Sequence, residues 1–322
     1  MTVLASAVPP ASAAPNPSPA PSESGSKTLR DAFEAAAKGH IEAQNKLDNS
    51  KKRQQRLNQE LLLLDQRINL LRVQVGAVAA QSYRFGRLSA MTALLNSTSP
   101  EDFLQRASEL DLMAQHDSTA LRDLIGAYEE SGRTKAAVDA EVREQVKQVA
   151  VLARKKQDAE RALATVGGRP AGGYINPNSP LARPAPRNAD GSWPSESCTI
   201  DDPTTSGCIT PRTLHALQEA RRAGFTHYVS CYRSGGSGEH PKGRACDFAA
   251  AKDGFANVSA TGSDRTYGNN LASFFIKNAS RLGVLYVIWY RQMWLPGTGW
   301  RSYSGGGSPA ADHTNHVHLS II

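Results

Sequence analysis

Between Thr28 and Thr165 the chain carries a single proline, Pro100. A proline inside a helix removes a backbone hydrogen bond and clashes with the preceding turn, so so long a stretch that avoids it is committed to long helices. Within it Leu57, Leu61, Leu64, Ile68, Leu71 and Val75 recur at alternating spacings of four and three. That is a heptad seam, which must be buried against another helix. A second set, Val138, Val142, Val149, Leu152, Ala159 and Leu163, follows comparable spacing. Between the two, Ser99-Pro100-Glu101-Asp102 reads as a helix start: a cap, proline at the first helical position and acids in the first turn. Phe103, Leu104, Ala107, Leu110, Leu112 and Met113 continue it as an amphipathic helix. A return at this point predicts an intrachain antiparallel hairpin and therefore a monomer.

Composition shifts divide the rest. Residues 1–14 are small and apolar and end in Ala11-Ser12-Ala13-Ala14, the small-x-small form of a signal-peptidase site. They read as the back half of a secretory signal, with a disordered tail as the alternative, because no Lys or Arg precedes the apolar run. Residues 15–27 are a Pro/Ser/Ala-rich tether, 28–166 the helical coiled coil, 167–196 a Pro/Gly-rich linker and 197–322 a compact domain. No stretch approaches the ~20 apolar residues of a membrane span. A net charge of +7 suits an anionic partner, but no groove-reading motif supports nucleic acid. All four cysteines, Cys198, Cys208, Cys231 and Cys246, fall in the last third and are not CxxC pairs. They read as two disulfides of a secreted domain; three connectivities are open, and Cys198–Cys208 with Cys231–Cys246 is the one adopted.

The compact domain opens on a well-marked helix, with Thr210 as cap, Pro211 behind it, Leu214, Leu217 and Ala220 on one face and Gly224 at the end. Strands are expected over Phe225–Arg233, Arg244–Ala249, Val284–Trp294 and His316–Ile322, and a further helix over Asn269–Leu282. The fold class is α+β: a small C-terminal domain with an antiparallel sheet and flanking helices, preceded by the long helical hairpin.

Three short runs carry chemistry: Cys231-Tyr232-Arg233-Ser234, His240-Pro241-Lys242-Gly243-Arg244-Ala245-Cys246-Asp247 and His313-Thr314-Asn315-His316-Val317-His318. A hydrolytic zinc site takes three imidazole or carboxylate ligands and keeps one position open; His240, Asp247 and His318 supply such a set. Trp289, Trp294 and Trp300 read equally as core or as a substrate platform, and His40, His116, His215 and His227 as ordinary surface or core residues.

These runs resemble the zinc D-Ala-D-Ala carboxypeptidase and L,D-endopeptidase families of cell-wall enzymes, which share the hedgehog/DD-peptidase fold. Tyr232-Arg233-Ser234, His240-x-x-Gly243-x-Ala245-x-Asp247 and His316-Val317-His318 match the three parts of their pattern in order. The resemblance implies zinc on His240, Asp247 and His318, with Arg233 facing the cleft to stabilise a carbonyl or oxyanion. The carboxypeptidases place Glu or Asp three residues before the last ligand, where this chain has Asn315. The spacing of His313, His316 and His318 instead resembles the penicillin-insensitive murein endopeptidases, so His316 is assigned as general base, with His313 and Asp312 as alternates. Strand parity puts His316 on the face of His318; His313 reaches that face only through a turn. The tip of the helical region, Leu88 to Leu95 followed by Ser99 to Arg106, resembles the coiled-coil domain of secreted peptidoglycan hydrolases and their regulators. The expectation is a secreted, cell-wall-associated zinc peptidase acting on peptidoglycan peptides. Its coil would localise or regulate it through a membrane-embedded division or wall-remodelling complex. The alternative is a non-catalytic wall factor that recruits or activates other hydrolases.

Overall fold

The structure, a computed structural model, describes residues 27–164, 168–236 and 238–322. The signal-like segment 1–14 and the tether up to residue 26 lie outside the described residues. The chain divides into two compact units, Lys46–Val149 and Met1–Asn45 together with Ala150–Ile322. Two helices, α1 (Lys27–Leu95) and α2 (Pro100–Ala164), run through both units. No helix among the described residues is long and apolar enough to cross a membrane.

Within Lys46–Val149 the helices form the expected antiparallel hairpin. The turn is built as the sequence requires: Ser99 Oγ accepts from the Asp102 amide at 3.1 Å, and Asp102 accepts from the Thr98 amide at 2.9 Å. Arg106 then donates to Asp102 at 2.8 Å and to the Ala93 carbonyl at 2.9 Å, tying one helix end to the next start. On α1 the predicted seam is the buried one, with Leu64 and Ile68 at its centre. On α2 it is not. Val142 and Val149 are exposed, and the buried line runs instead through Ser131, Thr134 and Gln148. Cross-helix pairing explains the change. Glu141 accepts from Arg53 at 2.6 Å and its carbonyl from Ser50 at 3.1 Å, while Gln145 donates to Gln54 at 2.9 Å. Long polar side chains thus zip this part of the hairpin where apolar spacing pointed elsewhere.

The other unit carries a small two-stranded sheet and a larger one. The first pairs β1 (Ile200–Asp201) with β2 (Cys208–Ile209), and α3 (Pro211–Arg222) follows with Thr210 capping it as expected. The large sheet is antiparallel throughout, in the order β3 (Val229–Ser230), β4 (Ala245–Ala249), β8 (His316–Ile321), β5 (Val284–Trp289), β6 (Gln292–Leu295) and β7 (Gly299–Ser302). Between β4 and β5 lie α4 (Gly262–Lys277) and α5 (Ala279–Leu282). One face, with Phe248, Val317, Leu319 and Val287, packs on Leu217 of α3 and on Leu271, Phe274 and Phe275 of α4. The opposite face carries Tyr286, Ile288, Met293 and Leu295, which pack with Phe33, Ala37 and Ile41 from the start of α1 and Leu163 from the end of α2.

Four local features depart from expectation. The helix expected over Asn269–Leu282 begins earlier, at Gly262, and breaks at Asn278 into α4 and α5. The long strand expected over Val284–Trp294 is a hairpin turning at Tyr290 and Arg291, both at positive φ (49° and 62°). Such turns usually announce themselves with Asn or Gly, and this one does not. The strand expected over Phe225–Arg233 is paired only at Val229–Ser230. The segment read as a linker clothes the domain over residues 168–196: Ala182 and Ala185 are buried, and Tyr174 meets Trp300 edge-on at 5.5 Å. Its backbone is held by a bridge between Pro170 and Arg301 and by side chains, the Ala182 amide donating to Asn278 Oδ1 at 2.9 Å and the Arg183 amide to Glu219 at 2.7 Å.

Candidate metal centre

The ladder between β4 and β8 sets Asp247 opposite His318 and Ala249 opposite His316. Cross-strand partners share a face, so Asp247, His318 and, two residues on, His316 project together. They do so on the face that carries Tyr286 and Ile288, since Ile288 is the partner of His318 on β5.

His240 arrives from outside the sheet. It opens a 3₁₀ turn, His240–Lys242, that ends on Gly243 at φ 68°. A side chain at Gly243 would fall 2.8 Å from the Cys208 carbonyl oxygen, so the fold-back needs glycine both for its left-handed backbone and for room. The Cys231–Cys246 disulfide fixes the other end, and Cys198–Cys208 forms as adopted. Cys246 adjoins Asp247, while the Cys231 carbonyl accepts from His240 Nδ1.

The three candidate ligands converge. His240 Nε2 lies 3.3 Å from His318 Nδ1 and 3.2 Å from Asp247 Oδ2, and His318 Nδ1 lies 2.8 Å from Asp247 Oδ1. Ligand bonds of ~2.0–2.1 Å in tetrahedral geometry put donor atoms about 3.3 Å apart, which these separations approach. All three residues are buried, at 1%, 2% and 1% exposure for His240, Asp247 and His318. Because the Cys231 carbonyl can only accept, His240 carries its proton on Nδ1 and turns a lone pair on Nε2 toward the carboxylate. For His318, Ser320 Oγ at 2.8 Å can accept from Nε2 and leave Nδ1 facing the same point. Outer hydrogen bonds of this kind set the tautomer of metal-binding imidazoles. The group is able to hold a metal ion.

Burial would push the Asp247 carboxyl up, but His240 and His316 outweigh it and hold it well below the usual range, so it is an anion. Burial would lower His240, yet the Asp247 charge leaves it raised. Burial lowers His316 to about 4 against the pull of Asp247, and places His313 well below the imidazole range. Both are neutral at neutral pH.

Of the residues proposed around the ligands, His316 sits where parity predicts, with Nε2 3.6 Å from Asp247 Oδ1. Its Nδ1 donates to Asn315 Oδ1 at 2.8 Å, and Asn315 is itself held by donating to the Ala256 carbonyl at 2.6 Å. Asn315 therefore orients His316. His313 is brought round by a turn at φ 51° and lies 4.6 Å from the His316 ring and 5.6 Å from the His318 ring, centre to centre. Arg233 donates to Asp247 Oδ2 at 3.1 Å from a more open position. Asp312 is engaged elsewhere: it accepts from the Gly305 amide at 2.8 Å, the Gly307 amide at 3.3 Å and Arg291 at 3.0 Å, and so closes the glycine-rich loop. Tyr286, stacked on the His318 ring at 5.4 Å, and Ser320 were not foreseen. Strand parity from His318 points to Ser320; nothing local points to Tyr286. Trp289 is fully buried core and donates to Asn269 at 2.9 Å.

The model of a family described as VldE, C-terminal domain, matches residues 205–314. The match takes in Arg233, His240, Asp247 and His313 and stops short of His316 and His318. Comparison with curated proteins and with solved structures finds no match.

Proposed function

We propose that the chain is a secreted zinc-dependent peptidase that hydrolyses peptide bonds of peptidoglycan stem or cross-link peptides. The observation that carries it is the convergence of His240 Nε2, His318 Nδ1 and Asp247 at tetrahedral spacing, with the outer imidazole nitrogens engaged by acceptors. Two imidazoles and one carboxylate form a donor set suited to zinc and leave a position for substrate. The metal would polarise a carbonyl and acidify water. Asp247, His240 and His318 would hold it. His316, kept in the Nδ1–H tautomer by Asn315, offers Nε2 to take a proton from attacking water and return it to the departing amine. Arg233 would bring its guanidinium to the carbonyl oxygen as negative charge develops there. The resemblance of three ordered motifs to cell-wall peptidases supports the substrate class, and two disulfides support an oxidising, extracellular setting. Exposed Leu62, Leu63, Leu70 and Val73 on α1 support a docking role for the hairpin toward a membrane-embedded wall-remodelling complex.

A second reading, a non-catalytic wall-binding factor, is favoured by the near-complete burial of the ligands and by an amide at position 315. Metal content of the purified chain, with mass spectrometry of muropeptides after digestion, tests both. One zinc per chain with new amine termini is the expected result. A zinc-loaded chain that leaves muropeptides intact after its cleft is opened would sink the first reading.

A further inference from the structure

The ligand-bearing face of the sheet is not open. Phe33, Ala37 and Ile41, one stripe at helical spacing on α1, and Leu163 of α2 pack on Tyr286, Ile288, Met293 and Leu295. Tyr286 in turn stacks on the ligand His318. Beside this stripe, Glu34 accepts from Lys242 at 2.9 Å and from Arg244, both on the segment between His240 and Asp247. The first turns of α1 therefore cover part of the face of the sheet that carries the ligands, and contact the loop that presents His240.

We infer that residues 33–41 of α1 are an intramolecular occupant of the substrate cleft, holding the chain latent until this segment is displaced; the inference rests on the peptidase reading for what the cleft binds.

The contact is built to come apart. His40 Nδ1 and Asn45 Nδ2, on the same helix, are buried with no hydrogen-bond partner among the described residues, and each such orphan weakens the packed state. A cavity of about 270 Å³ remains between this helix and the domain, lined by His40, Ile41, Asn45, Ile276, Trp294 and Gly297. Here the orphans and the cavity fall on one contact, which leaves it less completely packed than a core usually is. The ion pairs of Glu34 are partly exposed and so contribute more to register than to affinity.

Full-length Glu34→Lys places a cation against Lys242 and Arg244, and Ala37→Glu puts a charge into the apolar stripe. Neither touches a ligand residue. Hydrogen exchange over residues 31–45 reports whether the segment has lifted, and zinc extraction by a chelator reports access to the ligands. Muropeptide release reports the reaction. In a variant whose segment exchanges faster, zinc extraction and muropeptide release are both expected to rise by about tenfold or more, as the competent fraction grows. Faster extraction without muropeptide release upholds the occlusion and removes the peptidase reading. Faster exchange with extraction unchanged in both variants overturns the inference. So does exchange over residues 31–45 that is already as fast in the unaltered chain as in an unstructured peptide.

Discussion

Asn315 occupies the position at which the cell-wall carboxypeptidases that these motifs resemble carry an acid, and its contacts give it different work. Its carbonyl oxygen accepts a hydrogen bond from His316 Nδ1 while its amide nitrogen is anchored on the Ala256 carbonyl, so on the peptidase reading the base would be His316, one residue along. Asn315→Leu is expected to leave zinc bound and to lower kcat by about 10- to 100-fold, the usual cost of losing an orienting partner, with Asn315→Gln no better because its longer arm misplaces the oxygen. His316→Ala should also keep its zinc and lose about 100-fold or more in rate, and Arg233→Ala should behave similarly. His240→Ala should lose metal and activity together. Metal analysis beside steady-state kinetics separates these outcomes; stoichiometric zinc in His240→Ala would overturn the ligand assignment. The candidate ligands were legible because two imidazoles and a carboxylate stand in three short, ordered motifs. Tyr286 and the Cys231 carbonyl were not, since they meet the site through the strand order β4-β8-β5 and a disulfide, which no local spacing encodes.

Elements were legible where a cap or a period marked them and opaque where side chains replaced the usual signal. Ser99-Pro100 and Thr210-Pro211 each start a helix as written. The buried line of α2 escaped because Ser131, Thr134 and Gln148 occupy core positions that hydropathy assigns to water. A pair of substitutions tests that geometry. Leu64→Ala, at the buried centre of α1, should cost about 2–4 kcal/mol of hairpin stability, whereas Val142→Lys and Val149→Lys, on exposed positions, should stay within about 0.5 kcal/mol in thermal or urea unfolding. The β1–β2 turn shows a polar element of another kind. Burial would raise the Asp202 carboxyl, but the Thr205 hydroxyl, the Tyr232 amide and Thr204 overcome this and leave it below the ordinary value. A carboxylate depressed in the folded chain adds stability above its unfolded value of about 3.9, and that stability is lost as pH falls through the folded value. Asp202→Asn should therefore be clearly less stable than the parent at pH 7, with the gap narrowing below about pH 4. A gap in urea midpoint that is constant from pH 7 to pH 3 would count against the ionised carboxylate.

At the scale of the molecule, one covalent link ties folding history to chemistry. Cys231 and Cys246 are joined; the first lends its carbonyl to His240, and the second is the chain neighbour of Asp247. Two of the three donors thus depend on a bond that reducing surroundings do not sustain. Treating the folded chain with a thiol reductant should weaken zinc affinity by about 10- to 100-fold, read by competition with a colorimetric chelator, while the helical circular-dichroism signal of the hairpin, which contains no cysteine, persists. Reoxidation should restore the original affinity. The bond then acts as a licence tied to location. On the peptidase reading, a reduced chain would hold its metal weakly and would gain the full affinity of the centre only in an oxidising space.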